Sequence, residues 1–227
     1  MSEQEKPQMV FDVSAEVCWA AACAAQRING RYIKQVELVT TETAEQGSRP
    51  IPCNRERMVD FINHQALLTE QDFENGRAAR AWFQGQLFSL ISDQLNDFMK
   101  KAIETAVKEV INIRRDAGMV ACLPQTWERA VKKERVIDIM TDINSQHVGT
   151  ITEKLIRQVH VIEVKPGVSF TGWIVTVTDK NNIFRFCSSV VFAENELVRI
   201  QGKVKRHDFD KNTNAPVTWL NYVKKLI

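Results

Sequence analysis

The sequence predicts an α+β protein in which an α-helical domain, residues 1–146, precedes a small five-stranded β-barrel, residues 147–227. Apolar residues recur at helical spacing through most of residues 13–146, whereas beyond residue 147 apolar and polar residues alternate. Five short strand-like runs separated by turn-forming residues occupy the final part of the chain. This spacing is typical of a small closed barrel.

The helical region is predicted from apolar periodicity and from residues that begin and end helices. An Ala-rich helix is predicted over Val13–Ile28, with Ser14 as its N-terminal cap. Asn29 and Gly30 are suited to end it, because Gly adopts the left-handed conformation easily. The remaining predictions are a helix over Arg55–Leu68, a capping-box-like start at Thr69 to Asp72, a helix over Asp93–Ile113 broken by Gly118, and a last helix from Pro124.

The strand-like runs show which side chains share a face. They are Thr150–Val164, Phe170–Thr178, Ile183–Val190, Leu197–His207 and Val217–Lys225. Since successive strand residues point to opposite faces, each barrel strand needs one apolar face turned inward. In the fourth run the inward set is Val198, Ile200, Gly202 and Val204; the outward set is Arg199, Gln201, Lys203, Lys205 and His207. Strict alternation in the last run places Leu220 and Tyr222 on one face and Trp219 and Val223 on the other.

Charge is distributed unequally between the two regions. Residues 148–227 contain 12 Lys and Arg against 7 acidic residues, a net charge of +5, whereas the rest contains 18 and 21, a net charge of −3. A basic surplus in one half indicates that this half contacts a polyanion. The alternative is that Lys residues protect strand edges from pairing with other chains.

The chain has no segment typical of membrane insertion or secretion. No apolar run reaches the roughly 18 residues that a membrane-spanning helix needs, and the N-terminal residues lack a secretory pattern. We therefore expect a cytoplasmic protein with no membrane partner.

No pattern of residues supports a particular chemistry. Glycine-rich phosphate loops, paired zinc ligands and nucleophile elbows are absent from the sequence, and the five cysteines lack close pairing. Asp208, Asp210 and Asn212 have the spacing of a calcium loop, but Thr213 and Trp219 replace the Gly and Glu that such a loop needs. A polar hairpin turn explains these residues instead. We expect no cofactor and no metal, and an enzymatic role has no motif in its support.

The basic strands contain the candidate binding residues. Proteins that bind single strands combine a basic groove along the phosphates with aromatic side chains on which bases stack. The predicted groove residues are Arg185, Arg199, Lys203, Lys205 and Lys224, together with Arg206, which is near enough to its strand end to turn outward. The predicted stacking residues are Trp173, Trp219 and Tyr222, each with a place in the core as the alternative.

The same segment resembles a known kind of protein. The sequence Gly202-Lys203-Val204-Lys205-Arg206-His207, followed by Thr218–Lys224, is similar to the C-terminal segment of phage-encoded proteins of replication and recombination. The resemblance covers about a third of the chain and implies an OB-like barrel that binds oligonucleotides. The helix that usually follows the third OB strand is expected to be reduced to Phe192–Glu196.

These observations predict non-catalytic binding of single-stranded nucleic acid, DNA in particular, during phage replication or recombination. Two alternatives stay open at this point. One is a protein–protein adaptor whose helical domain docks a partner, which predicts an exposed apolar patch on the helices. The other is a metal-dependent nucleic-acid enzyme, which predicts clustered carboxylates.

Overall fold

The computed structural model describes residues 11–39, 49–90, 95–167 and 171–226. The chain divides into two compact units, Met1–Ala130 and Val131–Ile227. The boundary predicted between residues 146 and 147 lies inside the second unit. The predicted fold class is confirmed, because the first unit is mainly helical and the second contains a closed five-stranded barrel.

The first unit is built from helices with two short strand pairs. The helices are α1 (Ala15–Asn29), α2 (Asn54–Asn63), α3 (Glu70–Gly85), α4 (Asp97–Ala106), α5 (Ile113–Val120) and the start of α6 (Leu123–Asp142). The strands are β1 (Asp12–Ser14), β2 (Glu37–Val39), β3 (Arg49–Ile51) and β4 (Val110–Asn112). Strand β1 pairs with β4 and β2 pairs with β3, both antiparallel.

Three of the predicted helix ends are confirmed by hydrogen bonds and backbone angles. The Ser14 hydroxyl accepts from the Val17 N–H at 3.4 Å, and Gly30 ends α1 with φ of +67°. The Thr69 hydroxyl accepts from the Asp72 N–H at 3.3 Å, while the Asp72 carboxylate accepts from the Thr69 N–H at 2.9 Å. Local sequence therefore determines where α1 and α3 begin.

The core of this unit is formed by buried residues of α1 together with residues of α2, α3, α4, β4 and α5. Trp19 and Phe83 are fully buried, with ring centroids 5.9 Å apart. Gly76 lets the two helices approach closely, because a Cβ at this position would lie 2.8 Å from the Ala20 nitrogen and 2.9 Å from the Trp19 carbonyl carbon. Gly76 thus allows the backbones of α1 and α3 to come into close contact.

The helix predicted over Asp93–Ile113 is wrong at its C-terminal end, and Asp93 lies outside the described residues. Helix α4 ends at Ala106, and Ile111 is a buried strand residue opposite Val13 in β1. Short apolar runs fit a strand as well as a helix, so spacing alone did not separate them. The predicted break at Gly118 is also wrong, because Gly118 lies inside α5 with open space around it.

The second unit contains the closed barrel. Its strands are β5 (Lys154–Pro166), β6 (Trp173–Thr178), β7 (Ile183–Ser188), β8 (Leu197–Phe209) and β9 (Pro216–Leu226). They close in the order β5-β6-β7-β9-β8, antiparallel except for the parallel pair β7 and β9. This arrangement is an OB-like barrel. Phe170, the predicted start of the second strand, lies outside the described residues.

The barrel interior follows the predicted alternation on the first part of β8. Val198, Ile200 and Val204 are buried with Phe184 and Phe186 of β7. Residues 189–196, between β7 and β8, contain no helix. Instead the Phe192 ring packs edge-on against Phe186, with ring centroids 5.3 Å apart, and fills this part of the core.

The outer surface near the start of β7 and β9 is also covered. Val136 and Met140, in the second half of α6, form a small apolar cluster with Ile183 and Val217. Part of the outer surface of β7 and β9 is therefore buried within this unit, and the remaining outer surface is where a ligand has access.

Candidate nucleic-acid interface

Most of the predicted groove residues lie together on the outer surface of β5, β8 and β9. Arg199, Lys203 and Lys205 project outward from β8, and all three are exposed. Alternate residues of a strand are about 6.6 Å apart, so Lys203 and Lys205 are near neighbours and Arg199 lies about twice that distance from Lys203 along the same strand. Lys224 on β9 is exposed and follows directly from the bulge described below.

Lys154 on β5 belongs to the same surface, although it was not among the predicted groove residues. Lys154 is exposed and lies directly opposite Lys203 in the β5–β8 pairing. Its position follows from the β5–β8 register, which joins residues 49 positions apart. Alternation within a single strand does not reveal such a pairing. We call this set the basic strip: Lys154, Arg199, Lys203, Lys205 and Lys224.

The basic strip lacks the ion pairs that several other cations of the second unit form. Lys132 contacts Glu194 at 2.7 Å, Lys165 contacts Glu163 at 2.8 Å, and Lys225 forms an ion pair with Glu196. Within the residues that the structure describes, none of the five strip cations has such a partner. The positive charge of the strip is therefore available to a ligand.

The Lys154–Lys203 pair costs the folded protein stability. Side chains directly opposite each other in an antiparallel pair have Cβ atoms about 5 Å apart, and like charges at such positions are destabilising. Among the described residues, no carboxylate forms an ion pair with either lysine. Fold stability thus gives no reason for two lysines here, whereas a bound polyanion would relieve the repulsion.

Tyr222 lies beside the strip because β9 contains a bulge. Lys203 pairs with Asn221 and Gln201 pairs with Lys224, so Tyr222 and Val223 together face the single residue Gly202. Tyr222 has φ of +52° and is 80% exposed. The prediction that Tyr222 shares a face with Leu220 is wrong, because the bulge reverses the alternation after Asn221 and turns Val223 toward the core.

A second bulge, in β8, explains why Arg206 lies on the outer surface. Val204 pairs with Leu220 and Arg206 pairs with Trp219, which leaves Lys205 as the extra residue. Arg206 reaches the outer surface through this bulge and not through fraying of the strand end. Its guanidinium carbon lies 4.5 Å from the Trp219 ring centroid, and its Nε lies 3.4 Å from an Asp208 carboxylate oxygen.

Arg185 lies on the other outer surface, that of β6, β7 and β9, and is held by neighbouring side chains. Its Nη2 donates to Asp210 at 2.8 Å and its Nε donates to the Thr176 hydroxyl at 3.1 Å. The Arg185 and Asp210 side chains are only 18% and 8% exposed. We call Thr176, Arg185, Arg206, Asp210 and Trp219 the Trp219 cluster.

Asp210 forms an ion pair with Arg185 and also stabilises the turn that follows β8. Burial opposes its ionisation, but hydrogen bonds from Arg185 and from the backbone of Asn212 and Thr213 outweigh burial and hold the pKa of the Asp210 carboxyl below its usual value. Its Oδ1 accepts from the Asn212 N–H at 2.9 Å and the Thr213 N–H at 3.1 Å. The interpretation of this segment as a hairpin turn is therefore confirmed.

The three predicted stacking residues differ in exposure. Trp173 is half-buried against the barrel core, and Trp219 is half-buried against the apolar cluster near α6. Tyr222 is the most exposed of the three. The structure thus brings Tyr222 together with Arg199, Lys203, Lys205 and Lys224, and it places Trp173, Arg185, Arg206 and Trp219 elsewhere on the barrel.

Two features bear on other classes of site. No group of three His, Cys, Asp or Glu side chains comes close enough to hold a metal ion in the described parts of the chain. Among the described helices, none is both long enough and apolar enough to cross a membrane. All five cysteines are free, and Cys187 is exposed on β7.

The fold and the surface define a class of protein: an OB-like barrel with an exposed, unpaired cationic strip on its β5–β8–β9 surface, preceded by a helical unit. Comparison with family models, with curated proteins and with solved structures found no match to the chain.

Proposed function

We propose that the protein binds single-stranded nucleic acid, without catalysis, through the basic strip. The observation that carries this proposal is the group of unpaired cations on the β5–β8–β9 surface, on a barrel where Lys165, Arg185, Arg206 and Lys225 each form an ion pair. Cations with no carboxylate partner bind phosphates without first breaking an ion pair. Each phosphate contact also releases condensed counterions, which drives association.

The alternative surface, around the Trp219 cluster, is less suited to this role. Arg185 is already bound to Asp210 and Thr176, and Arg206 lies against both Trp219 and Asp208. A phosphate would have to displace these contacts before it gained its own. The basic strip needs no such exchange, so we assign binding to the β5–β8–β9 surface.

The proposed binding is largely independent of sequence. Contacts to phosphates position a nucleic acid but do not read bases. The similarity of the last third of the chain to phage-encoded replication and recombination proteins motivates the further proposal that the ligand is single-stranded DNA in phage DNA metabolism. This context rests on the resemblance, and the binding itself rests on the strip.

Binding is expected to weaken steeply with salt. With five phosphate contacts the slope of log affinity against log salt is about −3.5 for a single strand, which corresponds to about a hundredfold loss between about 50 and 200 mM salt. Fluorescence anisotropy of a labelled oligothymidine over a salt series measures this slope. An affinity that does not change with salt, or no binding at the lowest salt, contradicts the proposal.

A protein–protein adaptor is the second candidate, and one observation favours it. Phe88, in a short helical turn after α3, is 85% exposed, and the neighbouring Leu87 is 41% exposed. Exposed apolar side chains of this size occur where a partner docks. Under this alternative, replacing the strip lysines leaves partner binding unchanged, whereas replacing Phe88 by Ala weakens it.

A further inference from the structure

Tyr222 has a backbone conformation that residues other than Gly seldom adopt. Its φ is +52°, in the left-handed region where a Cβ is disfavoured. Such a conformation persists only where the surrounding structure imposes it, and it is enriched at functional sites. An exposed Tyr at this position therefore needs an explanation beyond the fold.

The bulge makes the outward direction of Tyr222 possible. Without it, regular alternation from buried Leu220 would turn the ring of Tyr222 inward. With it, Val223 takes the inward place and packs against the core next to Gly202. A Cβ on Gly202 would lie 3.0 Å from Val223 Cγ2, so the absence of a side chain at residue 202 is what accommodates Val223.

The surroundings of Tyr222 suit a flat ligand group. Asn221, its neighbour, faces Lys203 across the strand pair, and Lys224 lies two residues further along β9. Among the described residues, no aromatic ring or cation packs against the Tyr222 ring. The ring is thus free on its surface and flanked by phosphate-binding cations.

We propose that Tyr222 stacks on an unpaired base and sets the preference of the strip for single strands over duplex. This inference rests on the proposed function. In a duplex both faces of each base are covered by neighbouring bases, so a duplex offers the strip only its phosphates. A single strand can place one base on the Tyr222 ring while its phosphates contact the strip. Gly202 is then a positioning residue, because it accommodates the bulge that directs Tyr222 outward.

The test compares Tyr222→Ala and Tyr222→Phe with the unchanged full-length chain. Affinities for a labelled oligothymidine and for a duplex of the same length are measured by fluorescence anisotropy over a salt series. Loss of one stacked base lowers single-strand affinity by about tenfold in Tyr222→Ala. Duplex affinity and the salt slope stay unchanged, and Tyr222→Phe keeps the single-strand affinity because its ring is retained.

The matched control is Phe88→Ala, which removes an equally exposed ring from the helical unit. It is expected to leave both affinities unchanged. A Tyr222→Ala chain that binds single strands as well as the unchanged chain does, while strip variants bind more weakly, overturns this inference and leaves the proposed function in place. An equal loss for single strand and duplex also overturns it, because the ring would then not distinguish them. No binding by the unchanged chain overturns both proposals.

Discussion

Replacing Lys203 and Lys205 together by Glu is expected to lower affinity for a single-stranded oligonucleotide by about a hundredfold at low salt, with the fold intact. The change removes two phosphate-binding cations, and a Glu at residue 203 also pairs with Lys154 on the adjacent strand. Three contacts are therefore lost, each contributing about 1 kcal/mol in a solvated site.

The same variant is expected to be at least as stable as the unchanged chain. Lys203 faces Lys154, so Glu at residue 203 turns a like-charge pair into an opposite-charge pair. Opposite charges at such positions stabilise a sheet by about 0.2–1 kcal/mol. A thermal melt measures this stability. If the variant loses binding while its melting temperature equals or exceeds that of the unchanged chain, the two lysines have a binding role and not a structural one.

The control for this variant is the pair Lys101→Glu and Lys133→Glu. Both lysines are exposed on helices, at α4 and α6, and the pair changes the net charge by the same amount. Binding measured by anisotropy is expected to change little in the control. Equal losses in the two variants would show an effect of overall charge and would refute the assignment to the strip.

Gly76→Ala is expected to destabilise the helical unit by about 3 kcal/mol, although Ala usually stabilises a helix interior relative to Gly by about 1 kcal/mol. The new Cβ would lie 2.8 Å from the Ala20 nitrogen and 2.9 Å from the Trp19 carbonyl carbon. Both are backbone atoms of α1, so no side-chain rotation relieves the contact. The helices must separate, and the packing of Trp19 against Phe83 is disturbed with them.

Gly118→Ala is the matched control for this change. Gly118 also lies inside a helix, but a Cβ there meets nothing within 4 Å. Urea unfolding followed by circular dichroism is expected to show a lower midpoint for Gly76→Ala and an unchanged or higher midpoint for Gly118→Ala. Similar midpoints for the two variants would mean that α1 and α3 do not pack as closely as the structure places them.

Local features of the fold were predictable from the sequence because their causes are local. Ser14, Gly30 and the Thr69–Asp72 capping box act within four residues of the helix ends that they define. Alternation in Leu197–Val204 placed Val198, Ile200 and Val204 inside for the same reason. Strand β4 was not predictable in this way, since its pairing with β1 joins residues about 100 positions apart.

The candidate site was predictable only in part because strand register and bulges are not local. Arg199, Lys203 and Lys205 follow from alternation within β8, whereas Lys154 joins them only through the β5–β8 register. Arg185 was expected to be free, but its partner Asp210 lies 25 residues away in the chain. The outward direction of Tyr222 depends on a bulge opposite Gly202. Strict alternation of strand residues does not predict a bulge.

Backbone amide chemical shifts test most directly whether the basic strip binds a single strand. Two-dimensional ¹H–¹⁵N spectra of the full-length chain are recorded during titration with an oligothymidine. We expect shifts concentrated in residues 154–158, 199–205 and 221–225, with small changes in β6 and β7. Shifts concentrated instead in residues 173–178 and 183–187, or no shifts at all, would contradict this expectation.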